Sequence, residues 1–212
     1  MSDLARQLSD GLAPVSPSFV SRRLLVGLGA GALVSIAFVL AVLGVRPDLV
    51  PAMGTGMFWA KLAYPFALAL IAGLAAERLG RPAASARGRL VWLAVPFLAV
   101  AALGAVQFLA AAPHLRQTLV MGESARVCPF LVLASSLAPF AGLVWAMRGL
   151  APTRLGETGA VIGLAAGGAG AFAYAWHCTE SGGAFLALWY TAGILAAAAL
   201  GALLGPYLLR WK

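Results

Sequence analysis

The sequence predicts an all-α fold, a polytopic membrane protein built as a bundle of six transmembrane helices. Of the 212 residues, 62% are hydrophobic and only 10% are charged, and the mean hydropathy is +0.92. A soluble domain carries about a quarter charged residues, so this chain has too few polar groups to cover a surface that faces water. Apolar runs of about 20 residues, long enough to cross a bilayer as a helix, recur along it.

Six segments reach this length, and they form one predicted transmembrane domain over residues 24–212. They lie at about 24–45, 57–76, 90–112, 128–147, 159–176 and 184–209. The second contains Lys61, close enough to the end of the segment for us to expect its ammonium group to snorkel toward the interface. The fifth is the shortest, and its many glycines predict close packing against its neighbours.

Loop charges predict that both termini are cytoplasmic (N-in/C-in). Of the 15 Lys and Arg residues, four fall on one side of the predicted bundle, and the others fall on the side that carries both termini. An excess of positive charge marks the cytoplasmic side. Because the basic residues sit in short loops and form no single patch, the net charge of +8 does not indicate direct binding of nucleic acid. The four are Arg46, Lys61, Arg116 and Arg126.

Glycines at intervals of four residues form a ridge along the fifth segment, at Gly159, Gly163 and Gly167. Small residues at this spacing let two helix backbones approach closely in lipid. The same spacing occurs at Gly27/Gly31 and at Gly201/Gly205. Such pairs arise often by chance in sequences rich in Ala and Gly. We therefore expect only the three-glycine ridge to mark a helix contact.

Residues 1–23 are predicted to form a cytoplasmic tail with a short amphipathic helix. Leu4, Leu8 and Leu12 are spaced by four and fall on one helical face, and Pro14 ends the pattern. Such a helix is too short to be stable alone in water and needs a surface for its leucines. Two interpretations stay open: a tail that is frayed or lies on lipid headgroups, and a helix that docks into a groove of a cytoplasmic partner.

The two cysteines and both histidines fall on the outer, periplasmic side of the predicted topology. Cys128 begins the fourth segment, His177 and Cys178 end the fifth, and Glu180 follows two residues later. In an oxidising compartment the thiols could form a disulfide. Reduced, they could bind a soft metal ion such as copper(I) or zinc, with His177 and Glu180 as further ligands. A third interpretation is two small apolar side chains. His114 is interpreted as an ordinary loop residue.

Other chemistry has little support in the sequence. No Asp, Glu, Lys or Arg lies near the midplane of a predicted helix, which disfavours ion or proton transport. No Cys-x-x-Cys, phosphate-binding loop, His-Glu-x-x-His or nucleophile elbow is present. We therefore predict no catalytic residue, no enzyme activity and no cofactor beyond the metal ion considered above. A small membrane transporter or metal permease, and a thiol-dependent membrane oxidoreductase, remain as alternatives to a regulator.

Several short motifs, taken in order along nearly the whole chain, resemble one family. They are Leu-Ser-Asp-Gly-Leu-Ala-Pro-Val at 8–15, Cys128-Pro129, Gly-Leu-Ala-Pro at 149–152, the glycine-rich fifth segment, His177-Cys178-Thr179-Glu180-Ser181, Trp189, and Leu-Arg-Trp at 209–211. Together they are similar to the NrsF-type proteins (negative regulator of sigma-F), six-helix inner-membrane anti-sigma factors of Gram-negative bacteria.

The resemblance implies a membrane-bound signal transducer whose partners are a sigma factor and the lipid bilayer. The protein would hold an extracytoplasmic-function sigma factor at the bacterial inner membrane and release it under stress. It also implies that Cys128 and Cys178 sense the signal, with metal ions or oxidants as stimuli. On this hypothesis the sigma factor docks on the apolar face of the tail. That face comprises Leu4, Leu8, Leu12 and Val15.

Overall fold

The computed structural model describes residue 16 and residues 18–81, 85–150 and 152–210. This part of the chain is all-helical, as predicted, and contains eight helices. The predicted docking residues Leu4, Leu8, Leu12 and Val15 lie outside the described residues. The helices are α1 (Phe19–Leu43), α2 (Leu49–Met53), α3 (Gly56–Leu79), α4 (Arg87–Ala110), α5 (Pro113–Met121), α6 (Cys128–Arg148), α7 (Leu155–Tyr174) and α8 (Gly183–Leu208).

Local sequence signals fix several of the helix starts. The Thr55 hydroxyl accepts a hydrogen bond from the backbone amide of Phe58 at 3.3 Å and caps α3. Pro113 and Pro129 stand in the first turns of α5 and α6, where a missing amide proton costs no helical hydrogen bond. Glu157 stands in the first turn of α7, where a negative charge interacts favourably with the helix dipole.

Five helices are long and apolar enough to cross a membrane by length and composition: α1, α3, α4, α6 and α8. Helix α7, which matches the fifth predicted segment, is not among them. It is nevertheless the enclosed helix of the bundle, with 15 of its 20 residues buried and with α1, α3, α6 and α8 packed around it. A helix that faces protein on most sides needs little hydrophobic surface, so glycine and alanine replace larger apolar residues along it.

The long helices run between two ends of the bundle, which we name by their contents. The cysteine end comprises residues 44–55, 111–127 and 175–182; there the amide of Arg46 donates to the carbonyl of Trp176 at 3.1 Å. The tail end comprises residues 18–23, 79–81, 145–150 and 208–210. There Nε of Arg148 donates to the carbonyl of Leu208 at 2.7 Å. The loops that the charge pattern grouped together therefore meet in space.

Glycine contacts hold the bundle together at more places than predicted. A methyl group on Gly159 would overlap the carbonyl of Gly201, and one on Gly27 would overlap the carbonyl of Gly142. The interpretation of the pairs Gly27/Gly31 and Gly201/Gly205 as coincidental is therefore wrong. Both pairs lie where two backbones approach too closely for any side chain larger than hydrogen. Three further glycines make the same kind of close backbone contact: Gly31 with Pro139, Gly163 with Ala197, and Gly205 with Leu155.

Candidate functional site

The two cysteines lie together at the cysteine end. Cys128 is the first residue of α6, and Cys178 lies in the loop that follows α7, the neighbour of α6. Their exposed fractions are 0% and 3%, and both are free thiols. The two thiols are close enough to influence each other electrostatically. The structure therefore brings Cys128 and Cys178 together where α6 begins and α7 ends.

Lys61 is part of this site and does not snorkel, so that prediction is wrong. Its side chain is only 2% exposed, and Nζ donates to the carbonyl oxygens of Cys178 at 2.6 Å and Glu180 at 2.7 Å. The turn after α7 presents these carbonyls toward α3. Because the ammonium group finds acceptors inside the protein, it has no need to reach the headgroups or water.

A second buried cation contacts the same turn. Arg46, 3% exposed, donates from its guanidinium to the carbonyl oxygens of Cys178 and Thr179, both at 3.2 Å. It also forms a bidentate ion pair with Asp48, with two N–O distances of 2.7 Å. The hydrogen bonds from Arg46 hold the pKa of Asp48 below its usual value. Residues 178–180 are thus held by Arg46 from one loop and Lys61 from α3.

The surroundings of Cys178 favour its thiolate. A hydrogen bond from the Cys128 thiol and the charge of the Lys61 ammonium lower the pKa of Cys178, although burial opposes them. The hydroxyl of Tyr190 is fully buried and has no hydrogen-bond partner among the described residues. The thiolate is the reactive form of cysteine, so the environment distinguishes Cys178 from Cys128.

Glu180 positions the turn that leads into Cys128. Its Oε1 accepts hydrogen bonds from the backbone amides of Glu123 at 2.7 Å and Ser124 at 3.1 Å, and from the Ser124 hydroxyl at 3.1 Å. Gly122 precedes this turn with a φ of +51°, and a methyl group there would overlap the Glu180 carboxylate. The carboxylate therefore links the loop after α7 to the start of α6.

The four residues considered as metal ligands are not all brought together. Nδ1 of His177 lies 2.9 Å from the carbonyl oxygen of Gly44, which accepts its hydrogen bond, and Glu180 is engaged as described above. In the described ranges no group of three or more His, Cys, Asp and Glu side chains could hold a metal ion. The two sulfurs fit a soft ion of low coordination number better than a tetrahedral zinc site. His114 is exposed on α5.

Sequence reasoning named the thiols but missed the residues that surround them. Lys61 is the one charged residue inside the six predicted segments, and an ionisable group in such a segment is by default a candidate for function. That signal was present in the sequence. The sequence gives no such signal for Arg46, because Arg46 is one of several basic residues in the predicted loops. Tyr190 gives none either, because aromatic residues near a membrane interface are common.

Comparison with known proteins identifies one family. Residues 8–211 match the family model described as NrsF, negative regulator of sigma F. The chain is 36% identical over 209 residues to the probable anti-sigma-F factor NrsF of Azospira oryzae, covering 99% of this chain and 98% of that protein. It is 40% identical over 210 residues to the anti-sigma-F factor NrsF of Caulobacter vibrioides, covering 98% and 96%. No solved structure matches the chain. The chain belongs to the NrsF family of negative regulators of sigma F.

Proposed function

We propose that the protein holds an extracytoplasmic-function sigma factor at the bacterial inner membrane and releases it when Cys128 and Cys178 react. As a member of its family the protein is an anti-sigma factor, with a sigma factor as partner and a regulatory rather than catalytic role. The proposal adds the class of sigma factor, the sensing thiols and the stimulus. The stimulus is an oxidant or a soft metal ion, copper(I) or zinc.

The observation that carries the proposal is the position of the two thiols on separate elements. Oxidation would transfer two electrons and two protons from the thiols to the oxidant and join the sulfurs. A soft metal ion bound by both sulfurs would tie the same elements together. In either case the start of α6 becomes fixed to the loop after α7. The reaction involves only the two sulfurs, but the new link changes how α6 and α7 are connected to each other.

Helix α6 offers a connection from the thiols to the tail end. Its last turn contacts α1: Nε of Arg23 donates to the carbonyl of Ala146 at 2.8 Å, and the guanidinium lies 4.7 Å from the centre of the Trp145 ring. Helix α1 begins at Phe19, just after the tail. For a shift of α6 to release the partner, the two arrangements of the bundle must differ in affinity for the sigma factor.

We infer six membrane crossings, α7 included, with both termini in the cytoplasm. Support comes from the loop charges and from α7, which runs from the tail end to the cysteine end among its neighbours. Single cysteines at exposed His114 and Thr153, in a chain with Cys128→Ser and Cys178→Ser, test this orientation. In intact spheroplasts an impermeant maleimide should label His114→Cys, and Thr153→Cys only after permeabilisation. The reverse pattern would invert the topology.

The docking segment is assigned to residues 4–15 on their sequence pattern. Leu4, Leu8, Leu12 and Val15 would fill a hydrophobic groove of the sigma factor as one face of a helix. The membrane domain then acts as an anchor and sensor, and the chain makes no direct contact with nucleic acid.

The first test is a crosslinked pull-down from the native bacterium. The intact protein is compared with a variant that lacks residues 1–15, and with Arg6→Ala and Gln7→Ala as matched controls off the leucine face. Recovery of a sigma factor with the intact and control proteins, but not with the truncated one, is the expected result. If no form recovers a sigma factor, the docking proposal fails. Uptake of soft metal ions by vesicles would then test the permease alternative.

A further inference from the structure

An open cavity of about 290 Å³ lies at the cysteine end. Cys178 lines this cavity, whereas Cys128 is fully buried and is absent from its described walls. A small polar molecule that enters from outside therefore meets Cys178 first. The polar or reactive residues of the cavity wall are Arg46, Ser124, Tyr174, His177, Cys178 and Thr179.

A buried positive charge lies beside the turn that carries Cys178. Both hydrogen bonds from Lys61 to oxygen end on carbonyls, which carry no formal charge. A buried ammonium group without a counter-charge is costly, and a thiolate at Cys178 would supply that charge. The Tyr190 ring lies 5.3 Å from Lys61 Nζ.

We propose that Cys178 is the thiol that attacks a small hydroperoxide in this cavity, and that Cys128 resolves the product as a disulfide. This inference rests on the proposed function and gives its two cysteines different roles. The lining of the cavity is not symmetric between the thiols, because its described walls include Cys178 and not Cys128. With Nδ1 of His177 donating to the Gly44 carbonyl, Nε2 of the neutral ring is left as an acceptor for the hydroxyl of a hydroperoxide.

The reaction balances in two steps. The Cys178 thiolate attacks the terminal oxygen of the hydroperoxide, so that an S–O bond forms, the O–O bond breaks and the alkoxide leaves, taking a proton from water. The Cys128 sulfur then attacks the sulfenic acid on Cys178. An S–S bond forms, the S–O bond breaks, and hydroxide leaves with the Cys128 proton as water. One hydroperoxide oxidises two thiols, and an alcohol and water are the products.

The order of attack is tested with single-cysteine variants of the full chain in native membranes. Cys128→Ser and Cys178→Ser are treated with hydrogen peroxide in the presence of dimedone, which traps sulfenic acids, and the adducts are located by mass spectrometry. Cys128→Ser should accumulate the adduct on Cys178, while Cys178→Ser should keep a free thiol at Cys128. An adduct that forms on Cys128 as fast as on Cys178 would overturn the assigned order.

The contribution of Lys61 is tested in the Cys128→Ser background. Lys61→Gln removes the charge and should slow labelling of Cys178 at pH 7 by about tenfold for each unit by which its thiol pKa then exceeds 7. Lys61→Arg keeps a cation and should restore part of the rate. If Lys61→Gln fails to accumulate in membranes, we measure instead the pH profile for alkylation of Cys178 in the Cys128→Ser variant that retains Lys61. A midpoint of this pH profile at or above the ordinary pKa of a thiol would contradict the activation of Cys178 by Lys61.

These measurements can refute the order of attack without refuting the proposed function, and the proposed function without refuting the order of attack. Dimedone labelling reads only chemistry at the thiols, whereas a reporter driven by the sigma factor reads release. Labelling of Cys178 without any reporter response would leave the order of attack intact and refute sensing. A reporter response that needs both cysteines, with labelling at Cys128 alone, would refute the order and leave sensing intact.

Discussion

Lys61 and Arg46 bring two buried positive charges to one turn of three residues, 178–180. Burying a charge costs free energy unless hydrogen bonds or a counter-charge compensate for it. Arg46 has Asp48 and two carbonyls, while Lys61 donates to two carbonyls and interacts electrostatically with Cys178. The arrangement fixes the backbone of the turn and, through it, the position of the reactive thiol.

Arg46→Ala should lower the stability of the folded protein. It leaves the carbonyl oxygen of Thr179 without this donor, while that of Cys178 keeps the hydrogen bond from Lys61, and one unpaired buried group costs about 1–3 kcal/mol. The measurement is the midpoint of thermal unfolding in detergent. Arg126→Ala is the matched control, because Arg126 is exposed at the same end of the bundle. Equal midpoints for the two variants would show that the turn does not depend on Arg46.

Glu180→Ala should slow disulfide formation between Cys128 and Cys178. The change removes the acceptor for the amides of Glu123 and Ser124, so the start of α6 is held less firmly beside the loop. A loss of about 1.4 kcal/mol in positioning corresponds to about a tenfold lower rate. Diamide oxidation followed by gel shift with a maleimide polymer measures it. Glu123→Ala is the control, because the Glu123 side chain is exposed and the substitution keeps the backbone amide. Equally slow disulfide formation in Glu123→Ala would contradict the role assigned to Glu180.

At the scale of single residues, the sequence identified the thiols more readily than their environment. Cys128 and Cys178 stand at predicted helix ends on the same side, so their proximity followed once α6 and α7 were neighbours. The buried position of Lys61 depends on the carbonyl oxygens of one backbone turn, and no residue pattern in the sequence predicts the conformation of that turn. Glu180 was considered as a metal ligand, and its engagement with two amides depends on the fold of the loop at 122–124.

At the scale of helices, close contacts between small residues organise α6, α7 and α8. Gly159 and Gly201 place the backbones of α7 and α8 in direct contact, and Gly170 of α7 packs on Ser136 of α6. In lipid, where helices gain little from hydrophobic burial, such close packing supplies much of the association. Helix α7 is therefore held on several sides by contacts that tolerate no added volume.

Gly159→Ala should separate α7 from α8 and destabilise the bundle. The new methyl group would meet backbone atoms of Gly201 and Gly205, and overpacking of this kind costs about 1–3 kcal/mol. Thermal aggregation of the detergent-solubilised protein measures the change. Gly29→Ala is the control, because its methyl group would meet open space on α1. A loss in Gly29→Ala equal to that in Gly159→Ala would point to a general effect of replacing helical glycine.

The sequence predicted the long helices better than the short ones. Apolar runs of bilayer length placed all six long helices within about five residues of their observed ends, because solvation by lipid imposes a simple rule on length. Helices α2 and α5 were missed, since they are short and lie in loops that the hydropathy pattern leaves undefined. The glycine pairs on α1 and α8 were misjudged because spacing alone does not show which face meets a neighbour.

At the scale of the whole molecule, the thiols lie at one end of the bundle and the first turn of α1 lies at the other. On the proposed function, a signal from the thiols therefore travels the length of the helices. Helix α6 carries Cys128 at one end and accepts hydrogen bonds from Arg23 of α1 at the other. A rigid element that contacts both sites gives a physical basis for coupling, provided that it has two arrangements.

Arg23→Ala should uncouple sensing from release. Oxidation of the cysteines should proceed normally, while a reporter driven by the sigma factor should respond more weakly, because α1 no longer follows α6. The disulfide is followed by gel shift and release by the reporter in the same cells. Arg22→Ala is the control, since Arg22 is adjacent and exposed. A normal response in Arg23→Ala would remove this contact from the signalling route.

The enclosure of α7 has a consequence for how the protein is made. Its glycines and Glu157 give it a weak tendency to partition into lipid from the translocon on its own. On the six-crossing topology, α7 must enter the bilayer late, paired with α6 before it or α8 after it, as a hairpin that hides its backbone. A chain truncated before α8 would leave α7 with α6 as its hairpin partner but with its face around Gly159 uncovered, and we expect such a chain to become a substrate for membrane proteolysis.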